Sequence, residues 1–249
     1  MCRMLINYSS QPICISIESL KKFIQSCHWD YLKKYDIVGH HGAGWGFAYI
    51  PNNSNNLVIR RTLEPIYNCK WQDLVKIKTR FLLIHARKTI LGEKRLENVH
   101  PICLGDRFCI VHNGTIKMKS FPPLNRLYLQ KIKENTDLDT RRYLCTLLDN
   151  IINQNNIKDA IETTLKNIHV NSAANAFLFN SKECHIIKYQ KNTFNGRHTT
   201  LFIQRRLNRI AISTTPLDSK ALEIPNASLL SIPNLKEKKI KIRIDKLNI

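Results

Sequence analysis

With 249 residues, 43% of them hydrophobic and 23% charged, the chain has the length and the ordinary proportions of a soluble globular protein with a sizeable core. No apolar run approaches the roughly 20 residues of a membrane helix, and the amino terminus turns polar at Asn7 without the apolar region of a signal peptide, so a cytoplasmic location is expected. The net charge of +20 raises nucleic-acid binding as one reading, but the basic residues are scattered in pairs without interleaved aromatics, so a basic solvated surface is the plainer one.

The first helical pattern covers residues 16–34, with Ile17, Leu20, Phe23, Ile24 and Cys27 on one face. Gly46 to Ile50 and Leu57 to Arg60 read as two strands joined by a hairpin loop, Pro51-Asn52-Asn53-Ser54-Asn55-Asn56. Strands are predicted next at Phe81 to His85 and Phe108 to His112. A second helix is predicted with Thr136 as N-cap, Asp139 three residues on, and Leu144, Leu147, Leu148 and Ile151 at helical spacing. A third runs from Ile157 to Ile168. Four more strand candidates follow: Ala176 to Phe179, Cys184 to Tyr189, Leu201 to Gln204 and Arg209 to Ser213. Ile240-Lys241-Ile242-Arg243-Ile244 alternates with period two, as a half-buried final strand would. Many hairpin strands with a few long helices imply a layered α+β fold, read here as one domain over residues 1–249. The eight cysteines contain no C-x-x-C pair and read as reduced thiols, most of them core.

Four elements carry chemistry. Removal of Met1 would leave Cys2 with a thiol and a free α-amine; their reference pKa values, about 8.5 and 7.7–8.0, let the amine take the thiol proton near neutral pH. This is the self-contained nucleophile and base of an N-terminal hydrolase. His112-Asn113-Gly114, read as a strand end, offers a side-chain amide and an unobstructed backbone N–H to a developing oxyanion; a plain Asn-Gly turn explains it equally. His85-Ala86-Arg87 ends another strand with a guanidinium suited to a carboxylate. Thr136-Asp137 puts an acid at a helix start, where it can bind an ammonium group or simply complement the helix dipole.

Taken in order, Cys2, His41 to Gly46 (His-Gly-Ala-Gly-Trp-Gly), His85-x-Arg87, Asn98-x-His100-Pro101, His112-Asn113-Gly114 and Thr136-Asp137 resemble the glutaminase domain of class II glutamine amidotransferases, closest to its stand-alone branch. The resemblance covers roughly residues 2–140. It implies a four-layer α-β-β-α sandwich of the N-terminal-nucleophile hydrolase type, with Cys2 attacking the side-chain amide of glutamine. Asn113 and Gly114 would form the oxyanion hole, Arg87 would hold the substrate carboxylate and Asp137 its ammonium, with His100 and His112 as loop supports. A γ-glutamyl thioester would form, ammonia would leave, and water would release glutamate. Neither cofactor nor metal is implied, and His40, His41, His85, His100 and His112 have no compact ligand spacing. Ammonia would pass to a separate synthetase subunit; alternatively, the same nucleophile would hydrolyse γ-glutamyl peptides or amides. A basic nucleic-acid binder on a decayed enzyme scaffold is the reading from another class. Three positions depart from the family pattern: Thr89-Ile90 after the Arg87 motif, Ala43 in the Gly-rich loop, and Leu138 after Asp137.

Overall fold

The computed structural model describes residues 2–28, 40–89, 91–105, 108–191 and 197–249; the expected helix beyond residue 28, Met1 and Ile90 lie outside these. The strands in chain order are β1 (Arg3–Ile13), β2 (Trp45–Pro51), β3 (Val58–Thr62), β4 (Thr79–Ala86), β5 (Ile102–Leu104), β6 (Phe108–Ile116), β7 (Val170–Phe179), β8 (Cys184–Lys188), β9 (Phe202–Arg206), β10 (Arg209–Ser213), β11 (Leu222–Glu223), β12 (Ser228–Ile232) and β13 (Arg243–Lys246). The helices are α1 (Ile17–Cys27), α2 (Leu127–Glu134), α3 (Asp139–Gln154) and α4 (Ile157–Asn167). One sheet runs β11-β9-β10-β1-β4-β2-β3 and the other β13-β12-β8-β7-β6-β5, every pair antiparallel.

Side-chain alternation sorts the apolar residues into three cores, and the cores define four layers. On β1, Leu5 faces α1, where it packs with Leu20, Phe23, Ile24 and Cys27. Met4, Ile6 and Tyr8 point the other way and meet Val111, Phe177, Phe179 and Ile186 of the second sheet. On that sheet's outer face Ile110, Leu178 and Ile187 pack against Leu144, Leu147 and Leu148 of α3 and Ile161 and Leu165 of α4. Strands covered on both faces read as nearly continuous apolar runs rather than alternating ones. Each fully buried Leu, Ile or Phe contributes about 1.5–3 kcal/mol relative to exposure, so the inter-sheet layer is a large part of what holds the fold together.

The β2–β3 hairpin, β4, the strands from β8 to β10, α1 as far as Cys27, and α4 lie where the sequence pattern puts them, while β7 begins six residues before the expected Ala176. Ser16 caps α1 by accepting from the Ser19 amide. Asn155 ends α3 in the left-handed conformation (φ 52°) and Asn156 starts α4 by accepting from the Lys158 and Asp159 amides, so two adjacent asparagines make the corner. Four other features differ. Helix α3 begins at Asp139, not at a Thr136 cap; the Thr136 hydroxyl instead accepts from the Leu138 amide, closing a local turn before the helix. Strand β6 runs on through His112-Asn113-Gly114 to Ile116 because it pairs with β7 along that length. Of the alternating stretch from Ile240 to Ile244 only Arg243 and Ile244 pair in a strand, which runs on to Lys246, while Ile240 and Ile242 pack against the inter-sheet core. Cys103 and Cys109 face each other across β5 and β6 and are joined by a disulfide, so not all eight cysteines are free thiols. None of the helices formed by the described residues is long and apolar enough to cross a membrane.

Candidate active site

Strand register builds the first half of the site. Arg3 pairs with Ala86, and Trp45 with the same Ala86. One residue further, Cys2, Arg87 and Gly44 therefore sit side by side at one end of three central strands. The Arg87 amide donates to the Gly44 carbonyl (2.9 Å) and the Ala43 amide to the Arg87 carbonyl (3.1 Å), extending the pairing past the strand ends. Gly44 has φ +101°, and a Cβ there would lie 2.5 Å from the Thr62 carbonyl oxygen, which accounts for a glycine at that place in the Gly-rich segment. The Cys2 thiol is half-buried and lies 3.8 Å from the Lys88 carbonyl. Burial pushes that thiol up; the amino-terminal charge and Arg87 pull it down.

The second sheet supplies the facing wall. His85 Nε2 lies 3.3 Å from the His112 carbonyl, tying β4 to β6 across the sandwich. His112 in turn places Nε2 3.3 Å from the Ala173 carbonyl and Nδ1 3.1 Å from the Thr140 hydroxyl. A carbonyl only accepts, so both histidines carry their proton on Nε2 and Thr140 donates to His112 Nδ1. Burial pulls His85 down to about 3, and pulls His100 and His112 below the ordinary histidine range, so all three are neutral scaffold at neutral pH. Among the described residues no His, Cys, Asp and Glu group could hold a metal ion. Asn113 is fully buried; its amide nitrogen donates to the His198 carbonyl (3.0 Å), while its oxygen is buried without a hydrogen-bond partner. Gly114 packs so tightly on β7 that a Cβ would fall 1.6 Å from the Ala173 carbonyl oxygen.

Arg87 is buried and donates to three carbonyls, those of Glu93 (3.0 Å), Leu91 (2.9 Å) and Gly92 (3.2 Å). These bonds fix the guanidinium and use three of its five N–H groups, leaving others for a ligand carboxylate. Asp137 does not line the cleft but stands close to it, bonded to the residue whose carbonyl holds Arg87. Its carboxylate accepts from the Glu93 amide (3.1 Å) and Arg95 (2.8 Å) on a partly exposed surface. The acid that lines the cleft is Asp139, two residues on, which is buried and accepts from the amides of Ile116 (3.0 Å) and Thr140 (2.7 Å). Helix α3 starts at Asp139, and this first residue turns inward to the cleft.

Cys2, Arg87, His100, Gly114, Leu138 and Asp139 thus line one cleft of about 340 Å³ counting its open mouth. Asn113 stands behind this wall, on the strand that also carries Gly114. A thiol, an anchored guanidinium, a buried carboxylate and a backbone amide around one opening suit acyl transfer on a zwitterionic substrate.

The family profile described as glutamine amidotransferases class-II matches residues 10–183. A Haemophilus influenzae protein provisionally assigned as a glutamine amidotransferase is 26% identical over 162 residues, covering 61% of this chain and 54% of the relative, so the chain spans about half the relative's length. Among solved structures, the glutamine phosphoribosylpyrophosphate amidotransferase of B. subtilis superposes with a TM-score of 0.64 at 14% identity, over 98% of this chain and 49% of that one. A glutamine aminotransferase class-II domain protein from Silicibacter pomeroyi gives 0.62 at 12% identity, over 99% of both chains. Identities this low carry the fold and no more.

Proposed function

The chain belongs to the class-II glutamine amidotransferases, and from that premise we propose that it releases ammonia from the side-chain amide of glutamine through Cys2, freed as the amino-terminal residue by removal of Met1. The α-amine of Cys2 takes the thiol proton as sulfur attacks the amide carbon. The resulting oxyanion is stabilised by the Asn113 amide and the Gly114 N–H. Collapse breaks the C–N bond, the nitrogen takes the proton held by the α-amine, and ammonia leaves a γ-glutamyl thioester. Water then attacks the thioester carbon, its proton passing to the amine and on to the departing sulfur, to give glutamate and the free thiol.

Arg87 holds the substrate carboxylate, and Asp139, in place of the expected Asp137, holds the ammonium. The observation that carries the reading is the strand register that sets Cys2 beside Arg87 with Gly114 and Asp139 across the same cleft. The test is intact-mass analysis before and after exposure to a diazo-ketone analogue of glutamine. Loss of Met1 and one adduct, absent in Cys2→Ala, is expected. A fully active protein that retains Met1, or turnover surviving Cys2→Ala, sinks the mechanism. A processed protein that takes no adduct yet releases amines from γ-glutamyl peptides moves the substrate and keeps the nucleophile.

A further inference from the structure

Three buried polar side chains lie in one row on the inter-sheet face of the second sheet. Asn113 of β6 pairs in register with Asn175 of β7. Ala176 pairs with Ile187 and Ala173 bridges Gln190, which sets Lys188 of β8 beyond Asn175. The neighbours of this row on the same face, Val111, Phe177 and Ile186, belong to the apolar inter-sheet core, so the row is a polar strip at that core's end. Lys188 is 4% exposed, and burial pulls its pKa down to about 8 against the opposing pull of Glu223. A methionine would fill such a place without the cost of burying an ammonium.

All three side chains donate to the same short segment. Lys188 Nζ donates to the Thr199 carbonyl (3.1 Å) and to the Gln190 side-chain oxygen (3.2 Å). Asn175 donates to that same Thr199 carbonyl while its own oxygen accepts from the Tyr189 amide (3.0 Å), which fixes its orientation. The Thr199 hydroxyl bonds Gln190 (2.6 Å). One residue back, the His198 carbonyl accepts from the Asn113 amide nitrogen (3.0 Å). A side-chain amide nitrogen carries two hydrogens. With one held by a carbonyl, the plane of the amide is set and the other hydrogen points in a fixed direction.

We propose that Lys188 is a positioning residue for the reaction: by clamping the Thr199 carbonyl it holds the 198–199 segment, and through the His198 carbonyl it aims the free hydrogen of the Asn113 amide at the oxyanion. The inference rests on the oxyanion role proposed for Asn113. Lys188 is not among the residues lining the cleft at Cys2 and acts only through this segment.

The test is a double-mutant cycle on the full chain, measuring ammonia release from glutamine and thermal melting. Lys188→Met should lower kcat by roughly 10- to 100-fold, the order expected when a group is misplaced by about 1 Å, with KM little changed. Lys188→Arg, which keeps charge and donors, should restore most of the loss. In an Asn113→Ala background Lys188→Met should change kcat less than about twofold, because the two substitutions remove one interaction. Equal losses in both backgrounds, or a loss confined to KM, overturn the proposal. An Asn113→Ala protein with undiminished kcat fails earlier and takes the oxyanion reading with it. Should Lys188→Met not fold, Lys188→Gln keeps one donor for the Thr199 carbonyl and is held to the same cycle with a smaller loss.

Discussion

Replacing Gly114 by alanine separates the fold's requirement from the chemistry's. An added Cβ would lie 1.6 Å from the Ala173 carbonyl oxygen, 2.4 Å from its carbon and 2.9 Å from His112 Nε2, whereas ordinary contact begins at 3.4 Å. The two nearest atoms are backbone of the paired strand, so no side-chain rotation relieves the clash; β6 and β7 must part locally by up to about 1.8 Å. One or two ladder hydrogen bonds, each worth about 1 kcal/mol, and about 1–3 kcal/mol of overpacking strain put the loss near 3 kcal/mol. For a chain of this size that corresponds to a Tm lower by about 6–12 °C. Because the Gly114 N–H moves with its strand, kcat should fall by about 100-fold as well. Gly105→Ala is the control: φ is +58° but nothing lies within 4 Å of the new Cβ, so only the left-handed backbone cost of about 1–2 kcal/mol applies, with kcat unchanged. Calorimetry and steady-state ammonia release read both effects. A Gly114→Ala protein melting within about 2 °C of the parent with undiminished kcat would refute the close approach and the role of that amide together.

The two neighbouring acids should behave oppositely. Asp139→Asn removes the buried charge facing the cleft and should raise KM for glutamine by about 10- to 100-fold, the worth of a charged hydrogen bond. Asp137→Asn, on the partly exposed Arg95 pair, should leave KM alone and change stability by under about 1 kcal/mol; the reverse pattern would restore Asp137 to the site. The buried histidines make stability pH-dependent. His85 is held near 3 when folded and titrates near 6.5 when unfolded, so the unfolded chain binds the extra proton and stability falls as pH drops below 6.5. Between pH 6.5 and 5 His85 alone accounts for roughly 2 kcal/mol. A Tm that stays flat over that interval would contradict the neutral buried imidazoles.

Much of this was legible in the sequence because it is local. The Pro51–Asn56 loop between two apolar runs marks its hairpin, and the apolar stripe of Ile17, Leu20, Phe23, Ile24 and Cys27 marks α1. Arg87 stands out in the sequence because a charged residue directly after an apolar strand has to emerge at the strand's end. The choice between Asp137 and Asp139 is not legible locally, because Thr136 and Asp139 fit a capping pattern as well as they fit the turn that Thr136 makes with Leu138; packing of α3 on the second sheet is what brings Asp139 to the cleft. The same limit hid the extension of β6, since partnership with β7 keeps Asn113 and Gly114 in a strand where their local preference is a turn. Lys188 gave no signal at all. In sequence it is one lysine among many, and its meaning comes from a register linking three strands.

Cys2, the proposed nucleophile, and Arg87, proposed to anchor the substrate, stand one residue past the paired ends of β1 and β4, two strands in the interior of the seven-stranded sheet, where Arg3 pairs with Ala86. Their separation is therefore set by the pairing of two central strands, the part of a sheet whose amides open last. Loss of catalytic competence in denaturant would then trace the global unfolding curve, with no inactive but folded population preceding it.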